Sequence, residues 1–136
     1  MPTFGTRSLL QLETCHEDIR RVLNEAIKHA DFSVIEGHRT RERQQELYAT
    51  VVNGARVTTL DGVTKKSQHQ TFPSRAVDII PYPSGYTDHQ LCVELGRFVQ
   101  GISIGMGTPL RWGGDWDSDF DRKDQSFHDL PHLEIK

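Results

Sequence analysis

A compact α+β domain is what this 136-residue chain predicts, on three observations. Apolar residues at helical spacing alternate with short β-branched segments along most of the chain. Gly, Pro and Asp-Gly turn signals separate those segments. No repeat, linker or shift of composition divides them, so residues 1–136 read as one domain.

The first strong element runs from about Thr14 to Ala30. Ile19, Val22, Leu23, Ala26, Ile27 and Ala30 recur at helical spacing, and Thr14 with Glu17 forms a capping box. His16 and His29 fall off that apolar face and are expected in solvent. Phe32 to Glu36 reads as a short strand closed by Gly37. Thr40 caps a second helix running to about Val51, with Leu47 and Val51 on one side. Residues 52–66 are turn-rich, and Asp61-Gly62 suggests a small hairpin.

Ala76 to Ile80 is a buried strand ended by Pro81 and Pro83. Thr87 and Gln90 form a second capping box. The helix behind it carries Leu91, Leu95, Phe98, Val99 and Ile102 inward and ends among Gly101, Gly105 and Gly107. Leu110 to Trp112 is a strand, residues 115–125 an acidic surface loop, and His132 to Ile135 the closing strand. Core packing accounts for Trp112, whereas Trp116, in the polar loop, is available to contact a substrate.

A composition of 35% hydrophobic and 26% charged residues fits a soluble globular domain. The net charge of −3 gives no general basic excess for nucleic acid. The amino terminus lacks the charged start and apolar run of a signal peptide, and no stretch approaches a membrane span. Cys15 and Cys92 belong to no metal-ligand pattern and are expected to be reduced, partly buried thiols.

The chemistry lies in three separated side chains, His69, Asp78 and His132. Two imidazoles and one carboxylate make up a catalytic zinc set, with a fourth position left open. His69 precedes one strand, Asp78 lies on it and His132 begins another, so the fold can bring them together. A structural role for each His taken alone stays open. Asp129, three residues before His132, is the nearby carboxylate such a site needs as a general base; holding the His132 imidazole is its structural alternative. His128 and His38 neighbour Asp129 and Arg39 on extended segments, and face away from them. Asp115, Asp117, Asp119, Asp121 and Asp124 raise a calcium reading. The run lacks the Gly and the terminal Glu of an EF-hand, so a solvated loop is expected.

The order Ser67-x-His69, Ala76-Val77-Asp78 and Asp129-x-x-His132 resembles the zinc peptidases of bacterial cell walls. Gly37-His38-Arg39-Thr40, Gln44-Gln45-Glu46-Leu47-Tyr48 and Leu110-Arg111-Trp112-Gly113-Gly114-Asp115-Trp116 match further. That family includes D-Ala-D-Ala carboxypeptidases, vancomycin-resistance dipeptidases and phage L-alanyl-D-glutamate endopeptidases, and a short single domain looks most like the phage endolysin branch. The resemblance implies a small, mainly antiparallel sheet with helices packed on it, in the hedgehog/DD-peptidase-like arrangement. It implies one zinc ion on His69, Asp78 and His132, with Asp129 as general base and Arg39 binding substrate and the developing oxyanion. Ser67 then supports the site by hydrogen bonding, and Gln45 lines it.

One departure stands out. The difference 78 − 69 = 9 exceeds the usual seven, and Ser74-Arg75 occupy the place of a Gly. The extra residues, Thr71-Phe72-Pro73 among them, read as an enlarged loop bearing on rim shape and specificity.

The implied activity is hydrolysis of the L-Ala–D-Glu bond in peptidoglycan stem peptides, to lyse a bacterial host. Trimming of terminal D-Ala by a carboxypeptidase on the same zinc is the first alternative. A non-catalytic, zinc-stabilised wall-binding or virion module is the second. The implied setting is a monomer made in the host cytoplasm that reaches the wall after a separate pore-forming protein permeabilises the membrane, without inserting itself.

Overall fold

The computed structural model describes residues 2–136. Four helices, α1 (Thr6–Leu12), α2 (Glu17–Ala26), α3 (Arg41–Ala49) and α4 (His89–Gly105), accompany six strands. The strands are β1 (Phe32–Glu36), β2 (Val51–Val52), β3 (Ala55–Arg56), β4 (Ala76–Pro81), β5 (Leu110–Trp112) and β6 (His132–Ile135). Four of them form an antiparallel sheet in the order β1-β4-β6-β5.

Strand alternation divides this sheet into a core face and a cleft face. Val34, Val77, Ile79, Leu110, Trp112 and Leu133 point to the core, against Ile19, Val22, Leu23 and Ala26 of α2 and Leu95 and Val99 of α4. Trp112, Ile19, Leu23, Leu110 and Leu133 are almost wholly buried. Each such side chain contributes roughly 1.5–3 kcal/mol by leaving water. Asp78, Arg111, His132 and Glu134, the alternate residues on β4, β5 and β6, occupy the other face.

Several elements differ from the sequence expectations. Helix α1 has little to announce it: Leu9 and Leu10 face solvent, while buried Ser8 accepts a hydrogen bond from the Val34 amide at 3.0 Å. It thereby covers the outer edge of β1, where no strand pairs. The next helix starts at Glu17 rather than Thr14, because Thr14 spends its hydroxyl on Gln11 O and the His38 amide. His16, expected in solvent, caps α2 instead, accepting from the Asp18 amide at 3.1 Å. Asp88, not Thr87, caps α4 by accepting from the Leu91 amide.

The small hairpin is β2–β3, turning at Asn53-Gly54 with both residues at positive φ. Asn-Gly is a strong hairpin signal, and Asp61-Gly62 is a loop anchor instead. The Asp61 carboxylate accepts from the amides of Val63, Thr64 and Lys65. Helix α3 is capped by Thr40 as expected, whose hydroxyl accepts from the Arg43 amide. It ends at Ala49, short of the expected Val51, which opens the hairpin. Both cysteines are free and buried.

Candidate metal centre and active-site cleft

A bulge and a row of cross-strand partners build the site. β1 and β4 pair Val34 with Ile79 and then Glu36 with Asp78, so two β1 residues face one β4 step at Ile35. Val34 thus faces the core while Glu36, two residues on, faces the cleft. Asp78 in turn lies opposite His132 on β6. Glu36, Asp78 and His132 form one row across three strands, with side chains of directly opposed residues on the same face.

His69 joins the row from a 3-10 turn, Gln68–Gln70. Ser67 caps this turn: its hydroxyl accepts from the His69 amide at 3.1 Å, and Gln70 Oε1 accepts from the Ser67 amide at 2.8 Å. The Arg39 amide donates to His69 O at 2.7 Å, fastening the turn to the segment after β1. His69 Nδ1 lies 2.7 Å from Gly37 O. Gly37 has no room for a side chain, since a Cβ would meet Thr14 Oγ1, Gln11 O and Cys15 Sγ. Gly37 is therefore pressed on the end of α1, and its carbonyl has a fixed position behind the imidazole.

His69 Nε2 and His132 Nδ1 each lie 3.3 Å from Asp78 Oδ1. All three donor atoms sit within 4.8 Å of one another. Ligands at ~2.0–2.1 Å around a tetrahedral zinc are separated by about 3.3–3.4 Å. The donor set and its spacing thus fit a zinc-type ion. Burial by itself would push the Asp78 carboxyl up, but hydrogen bonds from His132 and His69, and their charges, hold it well below the usual range. Burial would likewise depress His132, yet Asp78 and Glu134 push it up to about 9.

The row floors a cleft of about 520 Å³, into which Arg39, Asp129 and Trp116 also face. Arg39 is buried and held on several sides. Its Nε and Nη2 donate to Glu36 Oε1 at 2.8 and 2.5 Å, Nη1 to Gln44 Oε1 at 2.8 Å, and Nη2 reaches Asp78 Oδ2 at 3.4 Å. Four of its five N–H donors are engaged, leaving one on Nη1. Asp129 is half-buried; burial first, then the Asp78 charge, raises its pKa. Its backbone is set by Gly113, whose carbonyl accepts from the Asp129 amide at 2.9 Å and whose amide donates to His132 O at 2.8 Å. A Cβ at Gly113 would run into the Asp129 carbonyl. Trp112 fixes the same segment through its indole N–H, which donates to Leu130 O at 2.7 Å.

The remaining expected site residues are placed as follows. Trp116 stacks on Phe127 with centroids 6.1 Å apart and lies 5.7 Å from the His132 ring. Gln45 is exposed and does not line the cleft; its neighbour Gln44 is the buried one, gripping Arg39 and donating to Leu60 O at 2.7 Å. Helix phase explains the difference, because Gln44 lies one turn after the cap Thr40 and faces inward. None of residues 71–75 lines the cleft either. The enlarged loop instead packs outward, Phe72 against His38, while Ser74 N donates to Thr14 O. His128 is exposed, with Gln125 as its partner.

The acidic loop needs one correction. Asp115 is not solvated but wholly buried, accepting from Arg97 at 2.9 Å, Gln100 at 3.1 Å and the Phe120 amide at 3.0 Å. Its carboxylate lies near those of Asp117 and Asp119, both exposed. Glu36, Gln44 and Glu134 were missed as parts of the site. For Glu134 a signal existed, since i and i+2 on a strand share a face and His132 was already in view.

No curated protein sequence matches the chain. Among solved structures, the chain is similar to the L-Ala D-Glu endopeptidase ChiX of Serratia marcescens, with 24% identity and a TM-score of 0.70 over 98% of this chain and 90% of that one. That likeness establishes the fold. The LdcB LD-carboxypeptidase is a more distant match, at 16% identity and a TM-score of 0.48 over 89% of this chain and 58% of that one. The model of the phage L-alanyl-D-glutamate peptidase family matches residues 2–136. With the fold, the His-Asp-His cluster and its cleft in place, the chain belongs to the phage L-alanyl-D-glutamate peptidase family.

Proposed function

We propose that this peptidase is zinc-dependent and hydrolyses the L-Ala–D-Glu bond of peptidoglycan stem peptides through His69, Asp78, His132, Asp129 and Arg39. The observation carrying the metal assignment is the pair of 3.3 Å separations from Asp78 Oδ1 to the two imidazoles, at the floor of the cleft. When bound, zinc supplies Lewis-acid polarisation of a carbonyl and a lowered pKa for water. Asp129 takes the proton of the attacking water and delivers it to the leaving amine. Its raised pKa makes it a stronger base than an ordinary carboxylate, which favours taking that proton. Arg39, locked by Glu36 and Gln44, offers its remaining Nη1 N–H and its charge to the oxygen that becomes negative. Trp116, stacked on Phe127, gives the peptide an apolar wall.

Membership of a phage peptidase family supports a role in host lysis. In this reading the protein is made in the host cytoplasm and reaches the wall through membrane lesions made by a separate protein. No helix among the described residues is long and apolar enough to cross a membrane.

Digestion of purified peptidoglycan with zinc-loaded and chelated protein, read by mass spectrometry, tests this. The expected products are metal-dependent fragments with a new amino terminus at D-Glu. Loss of terminal D-Ala alone would replace the endopeptidase reading with a carboxypeptidase. A folded, zinc-loaded protein that binds walls and releases nothing would favour a binding module. Asp129→Ala should lower cleavage by about 10²–10⁴-fold with zinc still bound.

A further inference from the structure

Glu134 is the one carboxylate in contact with a candidate ligand that the proposed reaction leaves without a task. It follows His132 by two residues on β6, so both side chains face the cleft. His132 Nε2 lies 2.8 Å from Glu134 Oε1, and its other nitrogen, Nδ1, lies 3.3 Å from Asp78 Oδ1. A nitrogen that faces a metal must be free of its proton, so that proton belongs on Nε2, pointing at Glu134. On β5, Arg111 pairs in register with Glu134, and its Nη1 reaches Oε2 at 3.6 Å. The two carboxylate oxygens thus have separate partners, and the side chain is only 13% exposed.

We propose that Glu134 is a positioning residue for the metal centre: it accepts the Nε2 proton of His132, fixes ring orientation and tautomer, and presents Nδ1 as the donor. This rests on the metal reading above. The other imidazole makes the complementary arrangement. His69 turns Nδ1 to a backbone acceptor, Gly37 O, and presents Nε2. The two rings therefore use opposite nitrogens, each chosen by the acceptor behind it. One acceptor is a neutral carbonyl and the other a carboxylate, and the carboxylate makes His132 the more basic donor of the two.

The test is zinc affinity, by competition with a chromophoric chelator, together with the visible spectrum of the cobalt-substituted protein. Both are measured on the full chain as wild type, Glu134→Ala, Glu134→Gln and Arg111→Met. Glu134→Ala should bind zinc about 10–100-fold more weakly, with an altered cobalt spectrum. Glu134→Gln, whose amide oxygen still accepts, should lose less. Arg111→Met should stay within about threefold of wild type, because a pair exposed at the Arg side contributes little. Wild-type affinity in both Glu134 variants would overturn the inference, as would an equal loss in Arg111→Met, which would make Glu134 a strand-pairing residue only. If the Ala variant fails to fold, judged by circular dichroism without metal, the Gln variant decides. A wild-type protein that binds no zinc removes the metal reading itself, whereas zinc-binding wild type with unaffected Glu134 variants removes only this inference.

Discussion

Two clusters in this molecule each bring three ligand-type atoms within 4.8 Å, and they are built in opposite ways. His69, Asp78 and His132 stand on two paired strands and a capped turn, with His69 and His132 buried. Each imidazole has its outward nitrogen taken by an acceptor, Gly37 O or Glu134. Asp115, Asp117 and Asp119 ride on the loop after β5, and the last two are exposed. Asp115 spends one oxygen on Arg97, Gln100 and the Phe120 amide. Like charges crowd there: a hydrogen bond with Asp119, then burial and the charges of its neighbours, push Asp124 up to about 6. Nearness of donor atoms is thus a weak criterion for a metal centre. Mixed imidazole and carboxylate donors, aimed by acceptors on rigid backbone, are the stronger one.

The largest test of this contrast is His69→Ala. Zinc binding should fall below stoichiometric and peptidoglycan cleavage below detection, measured by metal analysis and product release; retained zinc would show that the strands alone make the site. Next comes Arg97→Met, which leaves buried Asp115 without its cation. Stability should drop by about 3 kcal/mol in urea unfolding, with zinc affinity unchanged. A loss of zinc here would show that the two clusters are coupled. Gly113→Ala pushes a methyl at the Asp129 carbonyl and should destabilise by about 1–3 kcal/mol. Its cleavage rate per folded molecule should fall as well, since Asp129 moves while the ligands stay. The smallest effect is on Cys15, whose thiol burial pushes up to about 11. Iodoacetamide at about pH 8 should label it only in denaturant, because the thiolate is the nucleophile. Fast native labelling would mean that the scaffold behind Gly37 opens.

What was legible in the sequence follows from how many residues carried each signal. β4 was readable because buried and half-buried positions alternate along most of it, and the α2 and α4 stripes repeat over two or more turns. The cluster of His69, Asp78 and His132 was readable because the segments carrying it follow a known family's motif order. Residue type alone would not single them out among 7 His and 19 acidic residues. Helix α1 was not readable, since its two adjacent leucines face water and its buried positions are only Ser8 and Leu12. The choice between Gln44 and Gln45 turned on helix phase, which a one-residue error reverses. Glu36 reaches the cleft because β1 bulges at Ile35, and periodicity cannot register a bulge that breaks it.

That extra residue, Ile35, carries a consequence for how such a cleft tolerates a change of length. Deleting it would leave net charge, ligand inventory and every recognisable motif intact. Val34 and Glu36 would then be neighbours in a regular strand, core face followed by cleft face, and Glu36 would still stand opposite Asp78. Arg39 would keep the carboxylate that holds it, and the row of Glu36, Asp78 and His132 would survive. A duplicated or borrowed copy of this domain can therefore lose the three nucleotides encoding Ile35 and keep its cleft floor, because the bulge absorbs one residue of length without moving the row.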